Sequence, residues 1–134
     1  YNPAEISEFI RSVSHKNYGL HLDQMNMVDQ YNYFNTSKLI DDTFRLLKDD
    51  IVSVHAKDVL WKTGIPRNLI QMDEVYVGEG VMDYQCFFKH LDSLDPNMPV
   101  YTEHWDHEKE FHEAVLGLHK TAEKYGTRFL KRGE

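Results

Sequence analysis

The sequence predicts an α/β fold in which one helix is followed by three strand–helix units. Three short apolar segments, at 20–23, 51–55 and 99–103, alternate with longer segments whose apolar residues recur at helical spacing. Strands that alternate with helices are usually parallel and joined by right-handed crossovers. The length of 134 residues is that of a single domain, so we treat 1–134 as one unit.

The first predicted helix has Pro3 in its first turn, where proline is tolerated. Its apolar face consists of Ile6, Phe9, Ile10 and Val13. The segment Asn17–Gly19 is expected to end this helix, with Gly19 as its C-cap. The strand Leu20–Asp23 follows at once.

Three later helices are expected, each after a strand. Thr36 or Ser37 can cap the second helix and Asp83 the third, while Asp106 begins the fourth and Gly126 ends it. Their apolar faces consist of Leu39, Ile40, Phe44 and Leu47 in the second, Tyr84, Phe87, Phe88, Leu91 and Leu94 in the third, and Phe111, Ala114, Val115, Leu118 and Ala122 in the fourth. Cys86 lies at the border of the third face and is expected to be inert.

Residues 61–81 follow no regular pattern and contain Gly64, Pro66, Gly78 and Gly80. A loop of this length within a compact domain is usually functional. We predict a lid-like loop at 62–81, inserted into an otherwise ordinary strand–helix unit.

Each predicted strand ends in a residue that can bind a metal ion: Asp23, His55 and Glu103. The carboxyl ends of parallel strands meet at one edge, which is where a (β/α)8 barrel carries its chemistry. The pattern therefore predicts part of such a barrel. Taken singly, a residue such as Asp23 is usually a turn or cap residue, and one such as His55 is usually a core residue. Three such residues at one edge of the sheet favour a metal centre. Two carboxylates and an imidazole suit Mn2+, Mg2+, Co2+ or Zn2+.

The composition argues against several classes of protein. The net charge of -7 opposes binding to nucleic acid phosphates. A mean hydropathy of -0.59, without a long apolar run, predicts no membrane span. Cys86 is the single cysteine, which excludes an internal disulfide and favours a reducing, cytoplasmic location.

Four segments of the sequence carry a further signal: Leu22-Asp23-Gln24-Met25-Asn26, Val54-His55-Ala56-Lys57-Asp58, Gly78-Glu79-Gly80-Val81-Met82-Asp83 and Thr102-Glu103-His104. Together they resemble the sugar phosphate isomerase/epimerase family, whose members are xylose isomerase-like (β/α)8 barrels. The resemblance runs from about Gly19 to the last helix and implies the C-terminal part of the barrel, its last three βα units. These motifs are specific for the superfamily but not for a substrate.

The resemblance implies that Asp23, His55 and Glu103 are metal ligands and that Glu103 is also catalytic. The reaction would be proton transfer at a carbon next to a carbonyl of a sugar or sugar phosphate, through an enediolate stabilised by the metal. The family has a further Glu on an earlier strand, which acts as ligand and second acid/base, and no residue here corresponds to it. We therefore expect this chain alone to be inactive or nearly so. Family members often have His where Asn26 stands.

Further candidates flank the three ligands. Substrate contacts are expected from Asn26, Lys57, Trp61, Arg67 and Glu79, and support of the ligands from Asp58 and His104. Four of them have a simpler alternative: Lys57 pairs with Asp58, Trp61 packs in the core, the glycines beside Glu79 only shape the loop, and His104 is exposed.

Two other functions remain open. An apurinic endonuclease of the same superfamily also resembles the chain at the three ligands, but it needs further histidines and residues 64–83 contain none. The other alternative is a non-catalytic, self-associating module. Three βα units cannot close an eight-stranded barrel and leave strand edges exposed. We therefore expect a homo-oligomer, or pairing with the N-terminal half of the barrel.

Overall fold

The computed structural model describes residues 1–62 and 71–130, in which strands of a parallel sheet are separated by helices as expected. The α-helices are α1 (Pro3–Val13), α2 (Thr36–Leu47), α3 (Tyr84–Leu91) and α4 (Glu108–Tyr125). The strands are β1 (Leu20–Asp23), β2 (Ile51–His55), β3 (Asp58–Trp61), β4 (Met72–Val75) and β5 (Val100–Tyr101). No helix within the described ranges is both long and apolar enough to cross a membrane.

Three strands form a parallel sheet in the order β1-β2-β5. Asp23 lies opposite His55, and His55 lies opposite Tyr101. The strands therefore end at one edge of the sheet, as the sequence predicts for part of a (β/α)8 barrel. The described residues contain three such units and no closed barrel.

The two faces of this sheet differ in chemistry because side chains alternate along each strand. His21 lies opposite Ser53 and Asp23 opposite His55, so these polar residues share one face. On the other face, Leu22 and Val54 are fully buried. They belong to a core with apolar residues of the helices, among them Ile40, Phe44, Leu47, Phe87 and Phe88. The candidate site thus lies on the face opposite the core.

The helices form one layer, in which α1 packs on α2, α2 on α3 and α3 on α4. Asp83 caps α3 as expected, by accepting a hydrogen bond from the Cys86 N–H, and Gly126 ends α4 in the left-handed conformation. The predicted N-cap of α2, Thr36 or Ser37, is wrong because the N-cap lies earlier in the sequence. Asn35 precedes the helix, and its side chain accepts the Lys38 N–H.

Two predicted helix boundaries are also wrong. Helix α1 ends at Val13, because Ser14 takes the left-handed conformation and its N–H bonds to the Ile10 carbonyl. Gly19 instead allows a close approach, since a Cβ there would stand 2.5 Å from Cγ1 of Val52. Helix α4 begins at Glu108 rather than at Asp106. The Glu110 carboxylate accepts the N–H groups of Asp106 and His107, which therefore lie just before the helix.

The outer helices bury only part of their predicted apolar faces. Phe9 on α1 is 56% exposed and Phe111 on α4 is 41% exposed, whereas Ile10 and Leu118 are buried. Within the described structure, α1 and α4 each pack closely on a single neighbouring helix, so one flank of each stays open.

The segment expected to be an irregular loop contains a β-hairpin. Strands β3 and β4 pair antiparallel, with Asp58 opposite Val75 and Trp61 opposite Met72. Residues 63–70 of the predicted lid lie outside the described residues. The third strand of the parallel sheet is also shorter than predicted. After Tyr101 the chain leaves the sheet, so Glu103 lies two residues beyond β5.

Candidate metal centre

Three expected ligands converge at the carboxyl edge of the sheet. Nδ1 of His55 lies 2.9 Å from Oε1 of Glu103 and 3.5 Å from Oδ2 of Asp23. One ligand atom from each of the three residues fits within 4.8 Å of the others. Two carboxylates and an imidazole form a donor set that fits Mn2+, Mg2+, Co2+ or Zn2+. The structure brings the three together, and their role as ligands stays a prediction.

Lys57 lies at the centre of this cluster, with a side chain only 1% exposed. Its Nζ is 2.8 Å from Oδ2 of Asp23 and 2.5 Å from Oε1 of Glu103. Burial alone would lower the Lys57 pKa, but the hydrogen bonds to the two carboxylates outweigh burial and raise it. The alternative that Lys57 pairs with Asp58 is therefore wrong, because the ammonium group bonds to the carboxylates of the cluster.

The carboxylate of Glu103 is the most accessible of the three ligands, with a side chain 35% exposed. The hydrogen bond from Lys57 holds the pKa of Glu103 below its usual value, against the opposing effect of burial. The positive charge of the Lys57 ammonium group also lowers the Glu103 pKa. Glu103 is therefore ionised near neutral pH, as a proton acceptor must be.

Asp58 organises the backbone beside the cluster. Its buried carboxylate accepts four backbone N–H groups, those of Val59, Gly78, Gly80 and Met82, at 2.9–3.0 Å. Burial raises the Asp58 pKa despite these donors. A Cβ on Gly80 would stand 2.2 Å from Oδ1 of Asp58, so only glycine fits there. The hydrogen bonds of Asp58 thus shape the 78–82 loop rather than orient the three ligands.

The hairpin adds Glu74, which the sequence analysis did not identify. Oε2 of Glu74 lies 2.8 Å from Nδ1 of His104, and Nε2 of His104 lies 3.3 Å from Oε1 of Glu103. His104 therefore lies between Glu74 and Glu103, and its expected support of Glu103 stays a prediction. Its backbone takes a left-handed conformation, φ 68°, which costs free energy for a residue other than glycine. Glu74 lies within the segment that showed no regular pattern, so no sequence signal pointed to it.

His21 is a second residue that the sequence analysis missed. Its ring meets the His55 ring edge to face, with centroids 4.0 Å apart, and its Nδ1 bonds to the Ser53 hydroxyl. Burial and the neighbouring His55 lower the His21 pKa. Its position two residues before Asp23 in the same strand was the available signal, because residues two apart share a face.

The remaining expected substrate contacts are dispersed. The Asn26 N–H lies 3.4 Å from Oδ1 of Asp23, with the residue itself exposed. Trp61 stacks on Tyr33 at 4.3 Å. Glu79 lines an open cleft of about 860 Å³ between the 76–82 segment and α4, and the lining of that cleft includes none of the three ligands. Arg67 lies outside the described residues.

The family model described as xylose isomerase-like TIM barrel matches residues 1–131. The chain belongs to the xylose isomerase-like TIM barrel family. This family includes sugar isomerases and epimerases and also apurinic endonucleases. The expected resemblance and the expected fold class, part of a TIM barrel, are therefore confirmed.

One solved structure illustrates the fold relationship within the xylose isomerase-like TIM barrel family. The crystal structure of a xylose isomerase domain protein from Planctomyces limnophilus is 24% identical, with a TM-score of 0.68. The similarity covers 94% of this chain and 43% of that chain, so this chain spans less than half of that protein's length. At this identity the similarity shows the fold alone. No curated protein matches the sequence.

Proposed function

We propose that the chain carries the metal-binding part of a divalent-metal-dependent isomerase or epimerase that acts on a sugar or sugar phosphate. One observation carries this proposal. Asp23, His55 and Glu103, borne on three neighbouring strand units, present ligand atoms within 4.8 Å of one another. Membership of the xylose isomerase-like TIM barrel family supports it, because sugar isomerases and epimerases belong to that family.

The three residues would hold Mn2+, Mg2+, Co2+ or Zn2+. A bound divalent ion supplies Lewis acidity, which polarises carbonyl and hydroxyl oxygens and stabilises negative charge on them. Lys57 contributes a fixed positive charge at the same place, because its ammonium group is buried between Asp23 and Glu103. Such pre-positioned charge is worth more in a site from which water is excluded.

Glu103 is the proposed proton acceptor. Its carboxylate takes a proton from the carbon next to the carbonyl, and the electrons of the C–H bond move toward the carbonyl oxygen, giving an enediolate. A carboxylate whose pKa is held low is a weak base. The step therefore depends on the positive charge that stabilises the enediolate. Return of the proton to the same carbon from the other side gives epimerisation. Return to the neighbouring carbon, together with transfer of the hydroxyl proton to the former carbonyl oxygen, gives isomerisation.

Return of the proton needs a second acid or base. The family resemblance locates that group on a strand earlier in the barrel than β1. We propose that the N-terminal half of the barrel, or a second copy of the chain, supplies it together with the missing strand pairing. The partly exposed outer helices α1 and α4 are the surfaces that such a partner would cover.

Solvent-deuterium exchange tests this proposal. The chain, in the assembly that supplies the second acid or base, is loaded with Mn2+ in D2O and offered a ketose or its phosphate ester, and the protons next to the carbonyl are followed by NMR. We expect Mn2+-dependent exchange that is lowered about 10²- to 10⁴-fold by Glu103→Gln. Asp42→Asn, a surface change on α2, is the matched control and should leave the rate unchanged.

Cleavage of abasic-site DNA without sugar exchange would overturn the proposal in favour of the endonuclease alternative. Metal binding without either reaction would overturn it in favour of a non-catalytic module.

A further inference from the structure

A second group of metal-ligand side chains lies between α2 and α3. Asp41 belongs to α2, and Cys86 and His90 are one helical turn apart on α3. Nε2 of His90 is 2.7 Å from Oδ1 of Asp41, and Sγ of Cys86 is 3.5 Å from the same oxygen. One ligand atom from each residue fits within 4.8 Å of the others. The spacing of the three donors is therefore as tight as that at the strand ends.

The donor types differ from those of the strand-end centre in a way that predicts a different metal preference. A thiolate, an imidazole and a carboxylate form the mixed set typical of Zn2+, whereas carboxylate-rich sites also accept Mg2+ and Mn2+. Cys86 and His90 are four residues apart, so both side chains point from the same face of α3 toward Asp41. Three protein ligands leave the fourth position of a tetrahedral ion for water.

The group is held in place before any ion binds. The His90 ring stacks on Phe44, with centroids 4.6 Å apart and planes inclined by 13°. Phe44 is itself buried and packs edge to face on Phe87. The imidazole is therefore fixed with Nε2 toward Asp41, and little side-chain freedom remains to be lost on binding.

The group is also reachable from solvent. The side chains of Asp41 and His90 are 64% and 28% exposed, and Cys86 is half-buried. An ion can thus reach the three donors without opening the helix layer.

We propose that Asp41, Cys86 and His90 form a Zn2+ site that clamps α2 to α3. It is separate from the strand-end centre and does not depend on the proposed isomerase or epimerase activity. A ligand that binds only the folded chain stabilises it, so Zn2+ bound here raises the resistance of the helix layer to unfolding.

Co2+ is the probe for this site, because a thiolate bound to Co2+ gives an intense near-ultraviolet charge-transfer absorption that carboxylate and imidazole ligands do not give. Cys86 is the only cysteine in the sequence, so this absorption reports one position. The full chain, kept reduced, is titrated with Co2+ and then with Zn2+. We expect the absorption to reach a plateau that corresponds to one thiolate-bound Co2+ per chain, whatever Co2+ the strand-end centre takes up, and to disappear when Zn2+ displaces Co2+.

Variants separate this site from the strand-end centre. Cys86→Ser should abolish the absorption, and His90→Gln or Asp41→Asn should weaken Co2+ binding at least about tenfold. Lys109→Gln, an exposed change on α4, and Asp23→Asn in the strand-end centre should leave the absorption unchanged, and circular dichroism checks that each variant is folded. Absence of the thiolate absorption in the folded wild-type chain at millimolar Co2+ would overturn the proposal. So would an absorption that persists at full affinity in His90→Gln and Asp41→Asn, since it would show Cys86 binding Co2+ without the other two residues.

Discussion

The ammonium group of Lys57 lies 2.8 Å from Oδ2 of Asp23, on the carboxylate that a metal ion at the strand ends would share. Lys57 and the metal ion are therefore alternative sources of positive charge for the same side chains. Together with its contact to Glu103, this makes Lys57 the main cationic partner of the centre.

Replacement of Lys57 should make the stability of the chain depend on metal. Lys57→Met leaves the carboxylates of Asp23 and Glu103 close together without the ammonium, and we expect a loss of about 2 kcal/mol in metal-free buffer. The loss stays below that of a fully buried pair because Glu103 is 35% exposed. Urea unfolding should then show that Mn2+ stabilises the variant more than it stabilises the wild type. Lys62→Met removes a surface ion pair with Asp73 and is the control. If Mn2+ stabilises Lys57→Met and the wild type equally, Lys57 and the metal ion are not alternative sources of positive charge for these carboxylates.

Removal of the Asp58 carboxylate should destabilise the protein strongly. Asp58→Ala leaves four backbone N–H groups without their acceptor, and we expect a loss of about 3 kcal/mol or more in the free energy of unfolding. Chemical denaturation measures it. Asp73→Ala removes an exposed carboxylate from the neighbouring hairpin and should barely move the midpoint. If the two variants unfold at the same urea concentration, the carboxylate of Asp58 does not hold the loop.

Two glycines should respond to alanine in opposite directions. At Gly80 a Cβ would lie 2.2 Å from the Asp58 carboxylate and 2.4 Å from the Val59 carbonyl oxygen, so Gly80→Ala must displace the loop and destabilise the fold. At Gly117, within α4, the nearest atom would be the Val77 carbonyl oxygen at 3.6 Å, an ordinary contact. Gly117→Ala should stabilise the chain by about 0.5–1 kcal/mol, because alanine loses less backbone freedom in a helix. Thermal unfolding of both variants checks the signs, and a stabilising Gly80→Ala would show that the loop is not packed as described.

Cys86 should react slowly with alkylating agents in the metal-free folded chain. Burial, with help from Asp41, raises the pKa of the thiol to about 12, and the thiolate is the reactive form. A raised pKa means less thiolate at any given pH below it. At mildly alkaline pH we expect alkylation by iodoacetamide about a thousandfold slower than in the unfolded chain, whose thiol has a pKa of about 8.5.

The neighbouring carboxylates give a matched pair of variants for this measurement. Asp41→Asn removes a charge that raises the Cys86 pKa, so alkylation should become faster. Asp42→Asn removes a charge that pairs with Lys38 and Arg45 instead, and the rate should not change. Faster alkylation in both variants would point to loosening of α2 rather than to the electrostatic effect of Asp41.

The parts of the fold that local sequence determines were predictable. Strands β1 and β2 are short apolar segments next to clear turn residues, and both have the predicted boundaries. The β3–β4 hairpin was not predictable, because Asp58–Trp61 gains its strand structure from pairing with Met72–Val75, across residues without a regular pattern. The third parallel strand is shorter than predicted, because only Val100 and Tyr101 pair with β2.

The candidate site, too, was predictable only in part from the sequence. Asp23, His55 and Glu103 were predicted to meet because parallel strand ends converge whatever the details of the loops, and their side chains are together in the structure. The contact between Glu74 and His104 depends on where the hairpin folds back, which no local pattern reveals. The pairing of Lys57 was uncertain for a related reason. Its neighbour Asp58 is the nearest anion in sequence, but the backbone N–H group of Val59 and three N–H groups of the 78–82 loop occupy that carboxylate.

Glu74 comes from a hairpin that is an addition to the repeating strand–helix pattern, whereas the three expected ligands come from the pattern itself. The β-sheet can therefore keep its ligands while the inserted segment is exchanged for one of another length or charge. Under the proposed function, exchange of this insertion would change which molecules the site accepts and would leave the predicted ligands Asp23, His55 and Glu103 in place.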